Sequence, residues 1–354
     1  MALQAPQSRL LLRKRRFPVR QQHVLVALVL LIVFFYPRLD PPTAAIVADK
    51  QENHGRLDFS YAQDLSESLA TIHARADDWL SNRKLHYQRA FSDSSLQNRT
   101  HARFFPFDPL ASCQTIDCIG GPCGQDESKQ VCGLERLRQR KNCVVYSIGS
   151  DNFWGFEIDL LRRTRCEVHT FDCTGSASRF TPPRSNKHHF HHVCLGPRHE
   201  KDNSHAKCLK CGETWTLQEM QDRLGHKHVD LLKMDIEGHE WPVFESWSSL
   251  SNNQIDLPRQ IVVEMHYRDF TAFPELGNFG QPPDMVTMQR RLLHMGYVGV
   301  VRDDNPHCPV CTELTLIRTR PPLSGVVDEK EAMKYQPVKR SPGMGFSKFH
   351  SGGG

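Results

Sequence analysis

Long hydrophobic runs are scarce in this chain of 354 residues. Only Val24 to Tyr36, thirteen residues closed by Pro37 and Arg38, form an unbroken apolar stretch. Because about 20 such residues cover the hydrocarbon core of a bilayer, a polytopic membrane protein is excluded. A basic surplus is also missing from most of the chain. Lys and Arg number 45 against 40 Asp and Glu, but six basic residues (Arg9, Arg13, Lys14, Arg15, Arg16, Arg20) and no acidic one fall in residues 1–20, leaving 39 against 40 elsewhere. A folded surface that neutralises phosphates needs net positive charge, so no nucleic-acid partner is expected. No cysteine precedes Cys113, and no internal repeat is visible. What is present, 39% hydrophobic and 24% charged residues, is globular composition with length for one large or two modest domains.

The basic cluster precedes the apolar stretch, and that order has a consequence for targeting. Residues 1–23 read as a basic cytoplasmic tail and 24–40 as a signal-anchor segment, which spans if it recruits Phe17 to His23 and lets Arg20 snorkel. The alternative is the apolar core of a signal peptide cleaved near Ala44 and Ala45. Either way the positive-inside rule places everything after Asp40 in the lumen or outside. The expectation is a single-pass type II protein of the Golgi or ER membrane, with secretion after cleavage as the alternative. All twelve cysteines lie on that side, where disulfides form, and Asn98-Arg99-Thr100 is a glycosylation sequon.

Residues 41–105 read as a stem. Leu65, Leu69, Ile72, Ala76 and Trp79 make an apolar stripe on one helix, suited to packing on the following domain or to weak homo-oligomerisation. A domain over 106–320 begins with a loop carrying Cys113, Cys118, Cys123 and Cys132, then alternates strand and helix from Cys143. Strands are predicted at 143–148, 166–171, 190–194, 229–235, 260–266, 297–302 and 312–318, and helices near 153–163, 215–224, 239–249 and 284–294. Such alternation predicts an α/β fold with a mainly parallel seven-stranded sheet, and the helix-free join of the last two strands predicts one antiparallel hairpin. Residues 321–354 read as a flexible tail.

Chemistry gathers where strands end. Gly149 follows the first strand in a turn that lacks G-x-G-x-x-G spacing, and Asp172 ends the second strand twenty-three residues on, where an acid can accept both hydroxyls of a ribose. A plain turn with a helix-capping acid is the alternative. The fourth strand and its exit, Leu232-Lys233-Met234-Asp235-Ile236-Glu237-Gly238-His239, deliver Asp235 and Glu237 to the sheet's carboxyl edge. Glu264 and His266, two apart on the fifth strand, share a face there. Such a set suits a general base, a cofactor contact or a cation, against the plainer options that Asp235 caps a helix and Glu264 pairs with Lys233.

Taken in order, Ser147-Ile148-Gly149 with Phe156-Glu157, Val168-His169-Thr170-Phe171-Asp172, Leu232 to Gly238, and Val263-Glu264-Met265-His266 resemble the methyltransferase-like protein 24 group, related to FkbM-type S-adenosylmethionine-dependent methyltransferases. The resemblance covers about residues 105–320 and implies a class I methyltransferase, Rossmann-like fold whose last two strands form a reversed hairpin. By resemblance, S-adenosylmethionine is the cofactor, with Gly149 and its neighbours on the methionine part, Asp172 on the ribose, and Asp235 on the cofactor's amino group or the acceptor. Class I enzymes usually carry an acid two residues before the glycine; here Ser147 stands there, with Asp151 and Glu157 as candidates to supply the carboxylate. The base candidates are Glu264, His266 and His239, and the relatives imply O-methylation of an unidentified acceptor, a glycan hydroxyl among them.

Two metal-like patterns compete with plainer readings. Cys208-x-x-Cys211 and Cys308-x-x-Cys311 have four-cysteine zinc spacing, but disulfides are favoured in the lumen. His188-His189-Phe190-His191-His192 divides its histidines between two faces of a strand, so exposed titratable surface is expected and no resident metal is assigned. Rival functions are a lumenal glycosyltransferase using Asp235 and Glu237 for a metal and nucleotide sugar, and a binding protein that kept the fold without turnover.

Overall fold

The computed structural model describes residues 60–335, apart from 98–99, 126, 200–211, 251–254, 268–279, 325–326 and 328. The basic tail, the apolar stretch, most of the sequon, Cys208 and Cys211, and residues 336–354 lie outside the described residues. Among the described residues no helix is long and apolar enough to cross a membrane.

Helices α1 (Leu69–Ser81) and α2 (Arg83–Ser92) come first, followed by the hairpin β1 (Ile116–Ile119) and β2 (Lys129–Cys132) and the short α3 (Leu134–Gln139). The alternating part runs β3 (Val144–Ile148), α4 (Gly155–Arg163), β4 (Glu167–Phe171), β5 (His188–His191), β6 (Val193–Leu195), β7 (Glu213–Trp215) and α5 (Leu217–Leu224). It ends with β8 (Leu231–Met234), α6 (Glu240–Ser249), β9 (Gln260–His266), α7 (Pro282–His294), β10 (Tyr297–Asp303) and β11 (Cys311–Arg318).

Seven strands form one sheet in the order β10-β11-β9-β8-β3-β4-β5. The pairs β3–β4, β4–β5, β3–β8 and β8–β9 are parallel, and β11 runs antiparallel to both β9 and β10. This is the reversed terminal hairpin expected above. The central strands are buried on both faces, which is why β3 and β8 read as nearly continuous apolar runs. On one face Val145, Val168, Leu231 and Val262 pack with α4, α7 and the N-terminal segment; on the other, Tyr146, Phe171, Leu232 and Val263 pack with α5 and α6.

Three expectations change. The segment read as a stem is built into the domain from Ser60 onward: Ile72, Ala76 and Trp79 of α1 are buried in the same core as Val286 and Leu293 of α7, while Leu65 precedes the helix and bridges to Cys113. The described part of the tail docks on the domain, because Glu331 is held between Arg83 (2.8 Å) and Arg290 (2.7 Å) and Tyr335 stacks on Tyr87. The third strand is two: β5 stays in the main sheet, while β6 leaves to pair in parallel with β7, tied by a Cys173–Cys194 disulfide to the exit of β4. Cys308 and Cys311 bond to each other, the disulfide favoured over a shared zinc site. Cys113–Cys132 and Cys118–Cys123 staple the β1–β2 hairpin, and Cys143–Cys166 joins the residues preceding β3 and β4. Among the described residues no cysteine is free.

Candidate functional site

From β3 the chain builds outward through β4 to β5 on one side, then returns to lay β8 and β9 on the other, so strand order reverses between β3 and β8. In open α/β sheets ligands sit outside the carboxyl ends at that reversal. Gly149 and Asp235 are the residues there, with the Asp235 amide donating to Ile148 O (3.1 Å). Gly149 has φ +77°, and a Cβ on it would lie 1.9 Å from Asp235 O. The glycine is therefore required by the crossing of two exit loops, which agrees with the reading of a plain turn.

Asp172 organises the turn that follows. Its Oδ2 accepts from the amides of Ser150 (2.8 Å) and Asp151 (2.7 Å), and its Oδ1 from the amide of Thr174 (2.9 Å). These bonds hold Asp151 (φ 42°) and Asn152 (φ 69°) in the left-handed region, a conformation that persists only where its surroundings impose it. A carboxylate offers about four acceptor positions, so three amides, with Ser150 Oγ a longer fourth donor at 3.4 Å, leave room for at most one ribose hydroxyl.

Beneath this turn, Ser147 Oγ donates to Glu157 Oε1 at 2.6 Å, and Thr170 Oγ1 reaches the same oxygen at 3.4 Å. Glu157 is 1% exposed, and its Oε2 has no hydrogen-bond partner. Of the two acids offered as replacements for the one missing at Ser147, the structure brings Glu157 to the place. Asp151 turns outward, exposed, to pair with Arg179.

At the ends of β8, β9 and β11 the carboxylates of Asp235, Glu264 and Glu313 surround one buried amine, Lys129 of β2. Lys129 Nζ lies 3.5 Å from Asp235 Oδ2 and 3.3 Å from Glu264 Oε2, and it pairs directly with Glu313. Lys233, proposed above as a partner for Glu264, donates instead to Gly149 O. His266 Nδ1 lies 3.3 Å from Glu240 Oε1, and its Nε2 is 3.9 Å from both Glu237 and Glu264. Glu237 is exposed on the rim with φ 58°, whereas Glu240 is fully buried and accepts from the amides of Ile236 and Gly238 (2.8 Å each). Thus Glu240, rather than Asp235, secures the start of α6. His239 occupies the N-cap of that helix and makes no side-chain capping bond.

The electrostatics sort these groups into different protonation states. Burial opposes the charge of Asp235, but Lys233, Lys129 and His266 outweigh it and hold the carboxyl below its ordinary range. Burial together with the neighbouring Asp235 and Glu313 carboxylates pushes Glu264 up to about 9, and burial also raises Glu313. His266 is disfavoured as a cation by burial, yet Glu240, Asp235 and Glu264 raise it to about 10. At neutral pH Glu264 and His266 therefore already carry protons. This corrects their assignment as bases: they are proton donors, and the ionised acceptor of the cluster is Asp235.

Lys129, Glu240 and Glu313 were not singled out from the sequence. Lys129 arrives on a cysteine-stapled hairpin whose lysine has no distinguishing context, while an acid three residues after the strand-end pair was a usable signal for Glu240. The histidine run is not plain exposed surface either. His188 is buried against Thr170, and His191 stacks on Phe171 and bonds His169, which burial and neighbouring imidazoles hold at about 3, with His191 at about 4.

A family described as "Methyltransferase domain" matches residues 71–318, more than half of the chain. The chain belongs to this family. Its α/β sheet is thus that of a methyltransferase domain, and the family match begins within α1, inside the segment read from the sequence as a stem. Curated relatives include "Probable methyltransferase-like protein 24" of Rattus norvegicus, 27% identical over 136 residues, covering 38% of this chain and 36% of the relative. The protein of the same description from Homo sapiens is 26% identical over 130 residues, covering 36% and 34%. The matched part spans about a third of the length of these relatives. Among solved structures, a Burkholderia thailandensis 1,6-didemethyltoxoflavin-N1-methyltransferase with bound S-adenosylhomocysteine shares 13% identity at a TM-score of 0.26, covering 53% of this chain and 76% of that one.

Proposed function

We propose that this domain binds S-adenosylmethionine at the reversal between β3 and β8 and methylates a hydroxyl of an acceptor met in the secretory pathway, a glycan among the candidates. The observation that carries this reading is the ionised Asp235 at that point of the sheet, with the exposed Glu237 on the rim beside it. The cofactor is a cation with an ammonium and a sulfonium, so a carboxylate-rich edge suits it. The residues fit in a second way, because the buried Glu157 presents an oxygen without a donor beneath the Ser147–Asn152 turn. Glu157 and the turn would hold the methionine part, Asp172 one ribose hydroxyl, and Asp235 the amino group or the acceptor. When bound, S-adenosylmethionine supplies an electrophilic methyl group.

This chain's residues supply position and a proton acceptor. Asp172 keeps the turn in shape before any ligand arrives, and such positioning accounts for much of the rate in a displacement of this kind. Asp235, kept ionised by Lys129, Lys233 and His266, takes the hydroxyl proton, with Glu237 beside it on the rim. Glu264, already protonated, holds Asp235 by a side-chain hydrogen bond, and the His266 cation, anchored on Glu240, favours its charge through space. The five disulfides of the described residues support an oxidising compartment as the place of action.

Calorimetric titration of S-adenosylmethionine into the full chain tests this reading, with Glu157→Gln as the variant and a nucleotide sugar plus manganese as comparator. Saturable binding weakened about tenfold or more in the variant is expected. Binding of the nucleotide sugar alone transfers the site to the glycosyltransferase reading, whose support is that donors of Asp235, Glu237 and His266 lie within 4.8 Å of one another. Binding of neither leaves a binding protein with a methyltransferase fold.

A further inference from the structure

The edge of the sheet farthest from β10 carries a second cluster of ligating side chains. β4 and β5 pair in parallel register with His169 opposite His189, so both imidazoles stand on the same face and stack with centroids 4.7 Å apart. Glu167 precedes His169 by two on β4 and therefore shares that face. Its Oε1 lies 3.0 Å from His189 Nε2 and 3.3 Å from His169 Nε2. The last nitrogen is buried and makes no hydrogen bond, although His169 is only 4% exposed. A buried polar atom without a partner is costly, and one aimed at a carboxylate and a second imidazole is suited to a cation between them.

We propose that Glu167, His169 and His189 bind one zinc ion at the β4–β5 edge, on the side of the sheet opposite Thr170 and Glu157. The spacing agrees with the metal. Zinc holds nitrogen and oxygen ligands at about 2.0–2.2 Å, which sets ligand–ligand edges of about 3.3 Å in a tetrahedron. The three donors already lie within 4.8 Å of one another, so small side-chain rotations suffice. The surroundings also agree, because His169 Nδ1 is 3.0 Å from His191 Nε2; a proton on Nδ1 donated to His191 leaves Nε2 as the lone-pair donor. Solvent takes the fourth position on the open side, where Glu167 and His189 are about half exposed. The ion would tie edge strand β5 to β4, independently of any ligand at Asp235.

The test is calorimetric titration of zinc chloride into full chain carrying no histidine tag and stripped with chelator, with cobalt absorption as a second readout. One equivalent is expected to bind, with a tetrahedral cobalt spectrum. Glu167→Gln and His189→Ala, both partly exposed and so compatible with folding, are each expected to weaken binding about tenfold or more. His192→Ala is the control from the same run, since His192 Nε2 bonds Gly175 O at 2.8 Å, and it is expected to bind zinc normally. Absence of saturable binding, or binding that survives both substitutions, overturns the proposal.

Discussion

The two ends of β8 carry the same residue in opposite circumstances. Asp230, at the strand's start, is fully buried, and every neighbour balances it: Arg259 (2.6 Å), Arg140 (3.0 Å), the Val144 amide (2.9 Å) and the Tyr61 hydroxyl (3.1 Å). Asp235, just past the strand's end, stands with Glu264 and Glu313 around Lys129, and the crowding of buried carboxylates keeps the proton on Glu264 and raises the Glu313 carboxyl above its ordinary range. Four buried strand residues, Leu231 to Met234, separate a satisfied hub from a frustrated one. The satisfied end holds the sheet to the N-terminal segment and β9, whereas the frustrated end lies at the reversal of strand order, where a ligand would complete it.

The sharpest way to break this contrast is at its quiet end. Asp230→Ala leaves Arg140 and Arg259 facing each other at a buried site, and a loss of about 3–5 kcal/mol in urea unfolding is expected. A loss below about 1 kcal/mol would mean that Asp230 is no hub. Next, the paired substitution Cys143→Ser with Cys166→Ser opens a bridge across 23 residues at the same end of the sheet, and a cost of about 3 kcal/mol is expected by the same measurement.

The other end is sharpened by pH. For Glu264 and His266 the folded pKa is raised above the ordinary one, so their stabilisation is complete below pH 4.5 and 6.5 respectively and is lost as pH rises through about 9 and about 10. Between pH 7 and 9 stability should fall by about 1.4 kcal/mol per pH unit for each proton retained. Glu264→Gln copies the protonated form and should leave a slope shallower by that amount; an unchanged slope would show that Glu264 is ionised. The smallest effect is expected from Ser147→Ala, about 1–2 kcal/mol, since it removes one hydrogen bond to a buried carboxylate and leaves the turn to Asp172.

How much of this was legible depends on which forces set each feature. Six strands of the main sheet and the four helices of the alternating part were visible, the central strands because parallel strands buried on both faces must be apolar and turns must interrupt them. The His-rich β5, by contrast, was read together with β6 as one strand. The convergence of Asp235, Glu264 and His266 followed from strand direction and a period of two. Glu237 reaches the edge to which the sequence assigned it, but on the exposed rim, because the chain leaves the sheet after Met234 and turns through positive φ; the buried acid there, Glu240, was missed. Lys129 was illegible because only tertiary packing lays the β1–β2 hairpin on β9 and β11, through Gln260 to the Cys132 backbone and Thr315 to Gln130 O. His169 was legible as a strand residue but not as a neighbour of His189, because register between strands is not written in either one alone.

The most direct test is denaturant unfolding of Asp235→Asn at pH 7 with and without S-adenosylmethionine, beside the wild-type chain. If the carboxyl end of β8 is built for a ligand, the variant without ligand should lose clearly less stability than Asp230→Ala, and the stabilisation that S-adenosylmethionine gives the wild type should disappear. A variant that unfolds as readily as Asp230→Ala while still being stabilised by S-adenosylmethionine would contradict the division of β8 into a structural and a functional end.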